Sequence, residues 1–188
     1  MSTIDRDRIF FGVDPGTNIT GYGVIRVSDN TVRWVDSGTV VLGRDAPLSE
    51  KLAGIFEELS EQIARHGPCT VCVEEAFYAK NVRTTLILGH ARGVVLLAAH
   101  RAGAGVMEFS PREIKKALVG NGNATKEQVS FMVKTLLSPP RAKAQSDACD
   151  ALAAALCGYY NQRVPGVPLG RRDSKKRKAR TGGRGSRV

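Results

Sequence analysis

Residues 10–25 read FFGVDPGTNITGYGVI. The run over residues 9–13 (IFFGV) is apolar at every position, so both of its faces need cover, as in a central strand packed on two sides. It ends on a bare aspartate, Asp14, followed by Pro15-Gly16 and a second apolar run punctuated by glycines. A carboxylate at the mouth of a strand built for a core needs a reason.

Working outward, residues 23–27 (GVIRV) and 32–41 (VRWVDSGTVV) follow with turn signals between them, which predicts an antiparallel meander. Apolar residues at 48, 52, 55, 56, 59 and 63 form a helical stripe that Gly67-Pro68 ends. A short strand at 70–73 (TVCV) runs into Glu74-Glu75, a helix spans about 84–102, and a strand follows at 105–109 (GVMEF). Ser110-Pro111-Arg112-Glu113 is a capping box with proline at the first helical position, and Thr125-Lys126-Glu127-Gln128 is a second box. Pro139-Pro140 stops that helix, and the last one runs from near Ser146 to about Gln162. Three meander strands followed by βαβ crossovers predict an α/β protein, a mixed five-stranded sheet flanked by helices on both faces.

Composition narrows the function classes. The chain has 188 residues, of which 42% are hydrophobic, enough for one domain with its own core. No run of eighteen apolar residues occurs and the start, MSTIDRDR, is polar, so no membrane span and a cytoplasmic location are expected. Residues 171–188 hold nine of the 28 Lys/Arg and one of the 18 Asp/Glu, a net of +8 out of +10. The expected division is a folded domain over 1–165 and a disordered basic tail over 166–188, which cannot bury enough surface to order itself. Such a tail either meets polyanions or only confers solubility. Cys69 and Cys72 lie three apart in a β-branched run and face opposite sides of it. With Cys149 and Cys157 on a helix lacking a nearby histidine, they are read as reduced structural thiols. His66, His90 and His100 stand singly and receive no chemistry.

The acids tell more. Asp14 ends the first strand and Glu74 the fourth; on neighbouring strands these ends lie about 5 Å apart. Asp147 and Asp150 are three apart at the start of the last helix and share a face. Each has a plain reading: a turn residue, a solvated strand end, an N-cap, a first-turn acid. Glu75 is not excluded by periodicity. Four carboxylates gathered at one sheet edge repel unless neutralised, and an all-carboxylate set suits Mg²⁺ or Mn²⁺. Two such ions can stabilise the attacking and leaving oxygens of a phosphoryl transfer.

The segments GVDPGTNITGYGVI, VEEAFYAKN, GHARGVV, PREIKKALVGNGNATKEQV and SDACDALAAAL resemble, in order, the RuvC family of Holliday junction resolvases, over about residues 8–162. The resemblance implies a ribonuclease-H-like fold and a homodimer. It also implies paired Mg²⁺-dependent cuts in opposing strands of a four-way DNA junction, in homologous recombination and DNA repair. Mn²⁺ is a natural substitute, with two ions per subunit during catalysis, and the RuvA/RuvB branch-migration complex is the implied partner. By motif the catalytic and metal-binding quartet falls on Asp14, Glu74, Asp147 and Asp150, the first glutamate of the pair being the site residue. A histidine takes the third place in some relatives. Phe77 matches the aromatic that unstacks bases at the junction centre, and Lys80, Asn81 and Arg83 lie in the basic run around it. Lys115 and Lys126 match lysines that hold DNA phosphates, with the GNGNAT turn between them resembling a backbone contact to the strand.

Residues 94–99 (VVLLAA) are apolar all round their helix, with Gly89 and Gly93 one turn apart beside them. Either the helix is buried wholly within one chain or its second face meets a twofold mate. Three other functions compete. An actin-like ATPase would use DPGT for phosphates but needs a second domain. An RNA-processing relative of the same fold would lack FYAKN. In a non-enzymatic DNA binder the acids would hinder binding.

Overall fold

The computed structural model describes residues 7–75 and 81–163. The strands are β1 (Arg8–Asp14), β2 (Ile19–Ser28), β3 (Thr31–Val41), β4 (Thr70–Glu74) and β5 (Gly105–Phe109). The helices are α1 (Leu48–His66), α2 (Val82–Arg101), α3 (Pro111–Val119), α4 (Lys126–Leu137) and α5 (Ser146–Arg163), with a short 3₁₀ turn at Arg141–Lys143. The strands form one sheet in the order β3-β2-β1-β4-β5. β1 is central, antiparallel to β2 and parallel to β4, as its two apolar faces require. The β2–β3 hairpin turns on Asp29 and Asn30, both at positive φ, the conformation a two-residue turn of matching twist demands.

Phe10 and Phe11 point to opposite sides of the sheet and each anchors a core. Phe10 meets Leu152, Leu156 and Tyr159 of α5, with Ile114 and Val133 of α3 and α4 closing that layer. Phe11 meets Ile55 and Leu59 of α1 and Val95 of α2 on the other side. Both predicted capping boxes form, each with the cap side chain and the third helical residue bonding reciprocally.

β2 starts four residues before the predicted 23–27. Gly21 and Gly23 read as punctuation in sequence, yet they lie inside the strand because α5 packs against them. A Cβ on Gly21 would collide with the carbonyl oxygen of Asp147, and one on Gly12 with that of Ala151. The missing side chains let α5 sit almost on the backbone of β1 and β2. Its run from Ala148 to Tyr159 is buried all round except at Asp150.

α2 is buried through Ala91, Val95, Ala98 and Ala99, while Val82, Leu86 and Leu97 are exposed. Its apolar residues therefore exceed what the described residues cover, which speaks against a helix buried wholly within the monomer. By length and composition alone this helix is apolar enough to cross a bilayer, with a mean hydropathy of 1.3. Packing on α1 and the sheet occupies its inner face.

Candidate metal centre

Parallel pairing sets Val13 opposite Val73, so Asp14 and Glu74 leave neighbouring strands at the same level. α5 begins above that edge, held down by the glycine contacts with β1 and β2. Asp14, Asp147 and Asp150 each offer a carboxylate oxygen, and these atoms lie within 4.8 Å of one another. Glu74 stands outside that triplet but lines the same cavity, about 270 Å³ in volume, with Asp14, Asp150, Lys115 and Lys126. Glu75 turns its backbone to the neighbouring strand, donating its N–H to the Phe109 carbonyl at 2.8 Å.

The electrostatics are those of a site short of positive charge. Burial first, then the charges of Asp150 and Asp147, pushes the Asp14 carboxyl up to about 6. Burial, then Asp14 and Asp150, pushes Glu74 up to about 7. Lys126 bonds Asp150 at 2.5 Å, and that hydrogen bond raises its own pKa. Carboxylate oxygens alone, without imidazole or thiolate, fit a hard divalent cation.

Two anchors that sequence reading missed hold α5 in register. The buried Ser37 hydroxyl donates to the Lys143 carbonyl at 2.7 Å, and Lys143 pairs with Asp36 at 3.2 Å. Both fix the segment that delivers Asp147. A buried serine on a strand gives no local signal of such a long-range bond. The glycines of β1 and β2 gave a signal, but its meaning required knowing where α5 lies.

Gly21→Ala tests the platform. Its added methyl meets backbone rather than a pliable side chain, so α5 must lift, at about 1–3 kcal/mol of stability. Thermal unfolding should report that loss, with Asp147 moved away from Asp14. Wild-type stability would show that α5 does not depend on this contact.

Of the predicted DNA contacts, Lys115 and Lys126 line the cavity. Asn81 caps α2 by accepting the Arg83 N–H at 2.9 Å, and both residues are exposed. Phe77 and Lys80 lie outside the described residues, as does the tail. Gly89 and Gly93 sit on the exposed side of α2, lining a shallow apolar groove of about 550 Å³ with Leu86, Val94 and Leu97.

The sequence profile of the family described as "Crossover junction endodeoxyribonuclease RuvC" matches residues 10–158. The RuvC of Legionella pneumophila (strain Corby) is 42% identical over 172 residues, which span 92% of this chain and 98% of that protein. The Thermus thermophilus RuvC structure superposes with a TM-score of 0.75 at 34% identity, covering 82% of this chain and 95% of the other. T. thermophilus RuvC in complex with Holliday junction substrate gives 0.76 at 33% identity, covering 83% and 95%.

Proposed function

The chain belongs to the RuvC family of crossover junction endodeoxyribonucleases, and on that premise we propose that Asp14, Glu74, Asp147 and Asp150 hold the Mg²⁺ with which it works. The protein is a structure-specific nuclease of the ribonuclease-H-like fold that resolves Holliday junctions. The observation that carries the metal reading is the meeting of three aspartates from β1 and α5 within 4.8 Å. One hard cation, or a pair of them, would there activate water and stabilise the departing oxygen.

The chain's own groups do the rest. The quartet fixes the reaction centre on two rigid strands and a buried helix. Lys126 neutralises Asp150 and would hold a DNA phosphate at the cavity it lines. Lys115, on α3, lines the same cavity and would support the phosphate from there. Asn81 and Arg83, with Phe77 and Lys80, belong to the junction-binding surface, and the net +8 of residues 171–188 adds phosphate attraction. On the family's pattern the folded domain of residues 1–165 works in the cytoplasm beside the RuvA/RuvB branch-migration complex.

Two opposing strands need two sites, and a homodimer through α2 supplies them. A glycine inside a helix costs about 1 kcal/mol relative to alanine. At Gly89 and Gly93 nothing among the described residues lies within 4 Å of where a Cβ would be, so no contact among them calls for glycine. A second helix approaching closely does.

The experiment for the whole reading offers a four-way junction and a linear duplex with Mg²⁺, then with Ca²⁺. Symmetric cuts in the junction with Mg²⁺ alone are expected; equal cutting of the duplex would overturn junction specificity.

The raised acids give a pH prediction. Their folded values, about 6 and about 7, exceed those of free carboxyls, so their contribution to stability is full below about pH 4. From there it is lost as pH rises through 6 and 7, each carboxyl giving up about 1.4 kcal/mol per pH unit until it ionises. Mg²⁺ should therefore raise the melting temperature more at pH 8 than at pH 5, and Asp14→Asn should shrink the difference. Equal rises at both pH values would place the ion elsewhere.

A further inference from the structure

Beside the acidic cavity runs a second groove of about 480 Å³, walled by α4 and by the chain entering α5. Lys126 and Asp150 line both depressions, so the two meet at that ion pair. Along α4, Lys126, Ser130 and Lys134 follow one another at four-residue steps and all line the groove, with Phe131 next to them. The core face of α4 is already filled by Val129, Val133 and Leu137. Phe131 is 68% exposed and adds nothing to that core. Lys134 makes no ion pair among the described residues. Glu127 is the acid on the rim besides Asp150, and it bonds Thr125 at the start of its own helix.

A single exposed aromatic is ordinary. Here the ring stands between two lysines, in a groove that opens onto a phosphodiester-cutting centre. Aromatic faces in basic grooves are how proteins hold unpaired nucleotides: the ring stacks on a base while the cations track the backbone.

We propose that the groove between α4 and residues 144–146 holds the cleaved DNA strand next to the scissile phosphate, with Phe131 stacking on a base and Lys134 holding a phosphate. The proposal rests on the chain being a junction nuclease. It extends the DNA-binding surface to a side of the cavity that neither Lys115 nor the α2 residues reach. The mixed character of the lining favours a strand of DNA over a protein: cations for phosphates, one flat apolar face, and hydroxyls at Ser130 and Ser146.

The test uses full-length protein and a four-way junction carrying 2-aminopurine at successive positions beside the cut. Wild-type protein should change the fluorescence of one of these bases on binding, and Phe131→Ala should abolish that change. Stacking of this kind is worth about a five- to hundredfold change in affinity, which Phe131→Ala should lose and Phe131→Tyr should keep. Lys134→Ala should lower the slope of log affinity against log salt by about 0.7–0.9, one phosphate contact. Both side chains are exposed, so folding is not at stake. If wild-type protein fails to cut junctions, the underlying function is wrong. If it cuts and both variants match it in affinity, slope and fluorescence, the groove does not hold DNA and the proposal falls.

Discussion

Asp14→Asn is expected to yield a folded protein that binds four-way junctions and does not cut them. The substitution keeps size and turn chemistry, and the turn does not lean on the carboxylate. Thr20 closes it by donating to the Gly16 carbonyl at 2.6 Å. A turn residue would therefore tolerate asparagine. A ligand of a hard cation does not, because the amide brings no charge. Losing that electrostatic stabilisation costs several kcal/mol, about a thousandfold or more in single-turnover rate. Junction affinity by gel shift should persist or tighten, since one negative charge facing the phosphate is gone. The metal-free variant should also melt higher than wild type, because burial among like charges no longer opposes folding. Asp147→Asn, Asp150→Asn and Glu74→Gln should lose cleavage in the same way, and Glu75→Gln should not.

Gly93→Leu should break the proposed dimer and with it paired cutting. Among the described residues the added Cβ meets open space, and replacing a helical glycine stabilises by up to about 1 kcal/mol. Across a twofold contact the same side chain clashes twice, at about 1–3 kcal/mol each, weakening association about thirtyfold to twenty-thousandfold. The two effects have opposite signs, which makes the result decisive. A mass near one chain by light scattering, with thermal stability kept, is the expected outcome. A dimer of unchanged mass and activity would put the interface elsewhere.

Local rules carried the element order because they act within a few residues. The two capping boxes announced α3 and α4, and the two-sided apolar run of β1 announced a central strand. The acids were legible as a group for a related reason. Asp14 and Glu74 end neighbouring strands, and Asp147 and Asp150 open the helix that packs across the same edge. What stayed hidden depends on partners distant in sequence. Gly21 and Gly23 look like breaks until α5 is laid across them. Ser37 looks like an ordinary strand serine until it bonds Lys143, more than a hundred residues away. Phe131 sits in an amphipathic helix whose outer side sequence cannot tell from a partner-facing side. The resemblance to the resolvases named the quartet, whereas the geometry adds what sequence could not show: burial and mutual repulsion that hold Asp14 and Glu74 above the usual carboxylate range.

The most direct test of the metal centre is anomalous diffraction from crystals of the protein soaked in Mn²⁺, beside a cleavage assay in the same ion. Cleavage with Mn²⁺ is expected, with an anomalous peak among Asp14, Asp147 and Asp150, on the side facing Glu74, which Asp14→Asn removes or weakens. Cleavage supported by Mn²⁺ with no peak at these carboxylates would contradict the metal reading.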